Sequence, residues 1–174
     1  EKYIIQSGLS YAIVRPTVIF GHEDILINNI AWFLTKFPVF AIPGDGDYRL
    51  QPVFVEDVAG IAVNAGQFNE NMLVDAVGPE IFKYEELIRL IADRVQSKAK
   101  IIHLRPGLAL FLSKCIGYMV NDVVLTRDEV EGLIANLLVS ENPPTGKTRL
   151  SDWLNQHADT IGTKYASELN RHYR

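Results

Sequence analysis

Several groups of residues in this 174-residue chain have the types, though not the spacing, of reactive sites. Ser151, Asp152 and His157 carry the hydroxyl, carboxylate and imidazole of a nucleophilic triad. They fall at the start of one predicted helix, where a serine is accounted for as a cap, and that reading is favoured. Gly146-Lys147-Thr148 ends like a phosphate-binding loop. That motif needs a glycine five positions before its Gly-Lys pair, and Glu141 stands there. It also follows no strand, so a surface turn is the better reading. Asp45-Gly46-Asp47 offers two carboxylates as a calcium loop does, but no bidentate glutamate stands at the required distance. His22, His103, His157 and His172 are scattered without ligand spacing, and the single Cys115 allows no thiolate cluster, so no metal is expected.

Composition sets the frame for any site. With 48% hydrophobic and 22% charged residues, the chain is that of an ordinary globular protein with a core of its own. A formal net charge of −4 and no basic cluster argue against nucleic acid as a partner. The longest uncharged runs, such as residues 3–14 and 58–69, fall short of the ~18 apolar residues of a membrane span. One cysteine excludes an internal disulfide and suits a reducing cytosol, so a cytoplasmic location is expected.

The elements that would position a site follow from periodicity and turn chemistry. Residues 3–7 read as the last turn of a helix closed by Gly8. Tyr11 to Val14 read as a buried parallel strand covered on both faces, ended by Pro16, with a loop over residues 15–21 leaving its carboxyl end. In open parallel sheets ligands bind there. Asp24 caps a predicted helix to about Phe37, with apolar sets at 27, 30, 31, 34 and at 26, 33, 37. Residues 43–46 are a turn, 52–55 a short strand, and Glu56 or Asp57 opens a helix to about Ala65. Residues 72–77 are a further strand. Beyond Lys83 the texture is helical, with stripes at 84, 87, 88, 91 and 95, then 108, 111, 112, 115, 116 and 119, then 130, 133, 134, 137 and 138. Lys100 to Leu104 interrupt these as a small strand. Thr126 to Glu129 form a capping box, Ser151 starts a last helix, and Gly162 breaks it.

Three segments in order carry a resemblance: "SGLSYAIVRPTVIFG" at 7–21, "PGDGDYRLQPVFVEDVAGIAVNA" at 43–65 and "VDAVGPEIFKYEELIRLIA" at 74–92. Together they resemble the second half of a short-chain dehydrogenase/reductase of the extended or atypical kind, the NAD-dependent epimerase/dehydratase group. "QPVFVEDVA" is most similar to the atypical branch that includes the NAD(P)-binding accessory subunit of respiratory complex I. The resemblance covers residues 1 to about 95. It implies an α/β fold in which residues 1–80 are the C-terminal portion of a Rossmann-like doubly wound sheet and 81–174 a small helical lobe. It further implies that Pro16, Thr17 and Val18 contact a nicotinamide ring, with Ile19 and Phe20 as an apolar wall. Asn28, Asn29, Arg49 and Gln51 become candidates for substrate binding. Arg15 is read as structural and Asp57 as a helix cap. The family's Arg-Asp-aromatic run is replaced here by Arg49-Leu50-Gln51-Pro52, a departure that counts against a nucleotide-sugar substrate.

The family's glycine-rich dinucleotide loop has no counterpart in these residues, and neither has its catalytic Tyr-x-x-x-Lys pair; Tyr11 and Arg15 have the spacing without the lysine. The resemblance places that pair upstream of Glu1. The expectation is therefore a piece of a longer NAD- or NADP-dependent oxidoreductase, epimerase or dehydratase acting on a small polar or nucleotide-linked substrate. The alternative is a non-catalytic NAD(P)-binding structural or assembly subunit of a respiratory or photosynthetic complex. Expected partners are the missing N-terminal half, further copies of the chain, or the subunits of such a complex. The piece alone is expected to bind no cofactor, and either to self-associate through an open sheet edge or to repack so that the apolar face of the helix over 24–37 is covered.

Overall fold

The computed structural model describes residues 1–67 and 70–169. Along the chain run α1 (Lys2–Gln6), β1 (Ala12–Pro16), β2 (Ile19–Phe20), α2 (Leu26–Lys36), β3 (Val39–Pro43), β4 (Arg49–Leu50) and β5 (Val53–Phe54). They are followed by α3 (Val55–Ala65), β6 (Met72–Ala76), β7 (Phe82–Lys83), α4 (Tyr84–Arg94), β8 (Lys100–Leu104), α5 (Pro106–Val120), α6 (Arg127–Ile134) and α7 (Leu150–His157). The strands join in pairs: β1 with β6, β2 with β5 and β3 with β8 run parallel, while β4 and β7 run antiparallel. The mixed α/β class expected from the sequence is what forms.

Local chemistry explains most boundaries. Asp24 Oδ1 accepts the N–H of Ile27 at 2.7 Å, so it opens α2 by satisfying an orphan donor of the first turn. Thr126 and Glu129 close a reciprocal capping box on α6, with Thr126 N–H donating to Glu129 Oε2 at 2.7 Å and Glu129 N–H to Thr126 Oγ1 at 3.3 Å. Gly8 and Gly162 hold φ of +74° and +68°, a region in which only glycine escapes a Cβ penalty.

The core is continuous across the chain. Ile27, Ile30, Ala31 and Leu34 of α2 pack in one cluster with Leu87, Ile88 and Ile91 of α4, Leu150 and Leu154 of α7, and Phe20, Ile42 and Leu50 from the strands. The β3–β8 and β4–β7 ladders thus tie residues on either side of position 80 together. The α4 stripe and the first α2 set, 27, 30, 31 and 34, supply this core, whereas the second α2 set, 26, 33 and 37, stays outside it, Leu26 being 39% exposed.

Five expectations are corrected. Arg15 and Pro16 complete β1 and Ile19–Phe20 form a second strand, so only Thr17, Val18 and Gly21 remain of the predicted 15–21 loop. Tyr11 to Val14 are not covered on both faces: β1 has a single partner among the described residues, and its residues range from half-buried to exposed. Val39–Pro43, β4 and β7 form strands where none is predicted; for β4 and β7 the reason is that a two-residue ladder has no period of its own. The stripe predicted on α5 faces outward. Phe111 is 61% exposed and Met119 74%, while the buried line is Ala109, Ser113 and Gly117. A Cβ at Gly117 would stand 2.6 Å from the Asp122 carbonyl oxygen, so the small residues let α5 lie tight on the chain beyond it. The third stripe is also cut short: α6 ends at Ile134, leaving Leu137 72% exposed, and Leu138 instead bridges to Leu50.

Candidate functional site

The carboxyl end of β1 is the position to which the sequence pointed. Arg15 there donates through Nε to Glu1 Oε1 at 2.9 Å, pairs with the second Glu1 oxygen, and stands 3.9 Å from Asp75 Oδ1. The Arg15 hydrogen bond holds the Glu1 carboxyl below its ordinary range. Arg15 is thus a tie between α1, β1 and β6, in keeping with its structural reading. Thr17 donates its N–H to Ala76 O at 3.3 Å and its hydroxyl to Gln51 O, and the Val18 carbonyl accepts from Val53 N–H at 2.8 Å. The loop after β1 is consequently stitched to β5 and β6 on both sides.

Side chains of the predicted cofactor set divide between inside and outside. Pro16 is exposed, Thr17 half-buried, and Ile19 39% exposed. Val18 is buried, and Phe20 is fully buried, its ring 5.4 Å from Phe54 and 5.6 Å from Trp153. Phe20 is therefore part of the core, and the apolar surface left at this strand end is Pro16 and Ile19.

The predicted substrate set is largely engaged by the chain itself. Asn28 donates to Lys164 O at 2.9 Å and accepts from Gly162 N–H at 3.0 Å. Asn29 exchanges both bonds of its amide with Ala166, each at 2.9 Å. These two residues pin segment 162–166 across α2. Gln51 is only 2% exposed; its Nε2 donates to Gly78 O at 2.8 Å and its Oε1 accepts from Ser140 N–H at 3.1 Å. Arg49 differs. Its backbone N–H donates to Asn136 Oδ1 at 2.6 Å, but its guanidinium is exposed and in no ion pair among the described residues.

A strap over residues 138–149, missed in the sequence as anything but a loop, crosses the carboxyl end of β6. Asp75 accepts from Ser140 Oγ at 2.6 Å and Asn142 Nδ2 at 2.9 Å, and these bonds, Ser140 first, lower its pKa. Thr145 Oγ1 donates to Asp75 O at 2.9 Å and accepts from Val77 N–H at 3.0 Å. Gly146 N–H donates to Val77 O at 2.8 Å. Asp57 does not cap its own helix: its Oδ2 accepts from Lys147 N–H at 2.9 Å and Thr148 N–H at 2.8 Å. Gly146-Lys147-Thr148 is thereby a clamped strap. A Cβ on Gly146 would meet Asp57 Oδ2 and Val53 Cγ2 at 3.1 Å. Ser151 likewise does not cap α7. It lies inside the helix and gives both its N–H and its hydroxyl to Glu80, at 3.0 and 2.7 Å. The signal for the strap was an isolated acid in the apolar run "MLVDAV" and a polar segment, "SENPPTGKT", able to satisfy it.

No triad or metal cluster assembles from these parts. Ser151 is tied to Glu80, while His157 stacks on Trp153 and meets His22 edge to face at 4.5 Å. Among the described residues no three His, Cys, Asp or Glu side chains could share a metal ion, and no helix is long and apolar enough to cross a membrane. His172 lies outside the described residues.

No protein-family model matches this chain. One curated relative, NADH dehydrogenase (ubiquinone) 1 alpha subcomplex subunit 9, mitochondrial, from Arabidopsis thaliana, is 26% identical over 153 residues. The match takes in 82% of this chain and 38% of the relative, so the chain spans well under half of that protein's length. Among solved structures, the UDP-glucuronic acid 4-epimerase of Bacillus cereus with UDP-glucuronic acid and NAD is similar at a TM-score of 0.54 and 18% identity, over 91% of this chain and 47% of the epimerase. The UDP-N-acetylglucosamine 4-epimerase of Methanobrevibacter ruminantium gives 0.55 and 16%, over 91% and 48%. The likeness to NAD(P)-binding, epimerase/dehydratase-type short-chain dehydrogenases/reductases, read from the three segments, is borne out, and the fold is the Rossmann-like one of these neighbours. The relative's name is that of a mitochondrial protein, which gives the cytoplasmic expectation no support.

Proposed function

We propose that this chain is the substrate-side portion of an NAD(P)-binding protein that serves as a non-catalytic subunit of a respiratory complex. The observation that carries the reading is the saturation of the polar side chains predicted to bind substrate. Asn28, Asn29 and Gln51 spend their amides on Gly162, Lys164, Ala166, Gly78 and Ser140. A site that discriminates a polar substrate needs such groups available, since discrimination rests on hydrogen bonds that a wrong ligand leaves unmade. Similarity to a subunit of NADH dehydrogenase over most of the chain supports the same reading.

Pro16, Thr17, Val18 and Ile19 would hold the nicotinamide side of the cofactor, Ile19 and Pro16 through apolar contact and Thr17 as the fixed hinge that aims them. When bound, the cofactor would supply a hydride acceptor or donor. In this reading it serves as a structural ligand that stabilises the folded state through mass action.

One observation favours a second reading, an oxidoreductase, epimerase or dehydratase: the exposed Arg49 guanidinium, in no ion pair among the described residues, could receive a substrate phosphate in a bidentate bond. The two are separated in one experiment on native extracts. Under the first reading, the protein carrying this chain migrates on a native gel with NADH:quinone reductase activity, and the isolated protein leaves UDP-glucuronate unchanged. Migration as a free enzyme, with turnover of a nucleotide sugar that Arg49→Ala abolishes, would replace the first reading by the second.

A further inference from the structure

α5 from Leu110 to Tyr118, residues 121–127 and Leu169 line an open groove of about 810 Å³. That lies within the roughly 300–1,000 Å³ of small-molecule sites. It is distant in sequence from the strand ends and plays no part in the reading above. We infer that this groove binds a free long-chain carboxylate, its hydrocarbon along the apolar walls and its head at Lys114 and Arg127.

The floor makes no demand for a polar ligand. Ser113, on the buried line of α5, gives its hydroxyl to Leu110 O at 2.9 Å. Asp122 is 7% exposed and accepts from Val123 N–H at 2.9 Å, Glu168 N–H at 2.8 Å, Leu169 N–H at 3.2 Å and Tyr165 Oη at 3.0 Å. Burial acts to raise its pKa, but these donors outweigh it and the carboxyl stays below its ordinary range. Its charge is thus spoken for, and its donors hold segment 165–169 against the turn at Asn121. Gly117, with no side chain, keeps the floor open where a Cβ would meet Asp122 O at 2.6 Å.

The walls are apolar: Leu110, Val123, Val124, Leu125 and Leu169 line the groove. A satisfied floor and apolar walls suit a hydrocarbon body. The rim is cationic. Lys114 lines the groove and forms no ion pair among the described residues. Arg127 lines it too, and its bond to Glu131, at 3.1 Å, joins side chains 81% and 68% exposed, a pairing of little strength that an anion can share. Asp122 is the one acid among the lining residues. Two cations beside an apolar trough complement an anionic head on an apolar tail.

The test is calorimetric titration of the chain with dodecanoate below its micellar concentration, with dodecyltrimethylammonium as the matched cation. One saturable site per chain is expected, preferring the carboxylate by about tenfold, and each methylene from octanoate upward adds up to about fourfold. Lys114→Glu should weaken dodecanoate by about tenfold, Lys114→Arg should preserve it, and Val124→Trp, which fills the trough, should abolish it. Melting curves of each variant show that the fold is kept. Equal binding of anion and cation, or binding that survives Val124→Trp, overturns the inference. So does chain that dimerises through the groove on light scattering, or that binds only micelles or vesicles.

Discussion

Replacing Gln51 by Met separates a framework role from a ligand-binding one. Met matches the glutamine in length and approximate volume, so the change deletes hydrogen bonds without opening a large cavity. Two backbone groups lose their partner, the Gly78 carbonyl in the buried interior and the half-buried Ser140 N–H at the root of the strap. A buried group left unpaired costs about 1–3 kcal/mol. The Gly78 end should bear most of that range and the Ser140 end, partly reachable by water, the lower part, giving about 2–5 kcal/mol. For a chain of this size, 1 kcal/mol moves the melting temperature by about 2–4 °C. A drop of about 10 °C is therefore expected, followed by circular dichroism and by the fluorescence of Trp32 and Trp153. Arg49→Met, which removes an exposed guanidinium without an ion pair, is the contrast and should stay within about 0.5 kcal/mol. Because the strap hangs on Gln51 at Ser140, amide exchange of residues 140–148 should rise in Gln51→Met ahead of the core helices. If Gln51→Met melts within 2 °C of the parent with an unchanged exchange pattern, its amide carries no framework and the saturation argument fails with it.

Gly162→Ala should destabilise by more than about 1 kcal/mol in urea unfolding, since φ is +68° and the new Cβ would stand 2.6 Å from the Ala31 carbonyl carbon and the Trp32 nitrogen. Thr126→Ala removes one arm of the capping box and should cost about 1 kcal/mol, with exchange protection lost first in α6. Acid should unfold the chain through Asp75 and Asp122, both held below their ordinary range. Their stabilisation is complete above about pH 4, the unfolded aspartate value, and is lost as pH falls through the folded values. Asp122→Asn should therefore lower stability at pH 7 and flatten the acid limb of the profile; an unchanged acid limb would show that those four donors confer nothing.

What the sequence alone determined is local. Asp24 before an apolar-periodic run, the Thr126–Glu129 box and the stripe at 84, 87, 88 and 91 each bring their own donors, acceptors or period, so the elements they mark stand where expected. The three ordered segments likewise contained the fold class, because turn and strand-end residues recur wherever that sheet is built. Tertiary structure decided the rest. Strands of two residues, such as Arg49–Leu50 and Phe82–Lys83, exist only through each other, and no pattern within either foretells the pairing. The face of α5 turned inward was settled by close approach: Gly117 and Ser113 admit neighbouring backbone, and the larger apolar side chains were left in solvent. Asn28, Asn29, Gln51 and Asp57 look in the sequence like groups waiting for a ligand. Their partners, Gly162, Ala166, Gly78 and Lys147, lie 27 to 137 positions away, and only the folded chain brings those N–H and C=O groups within bonding distance.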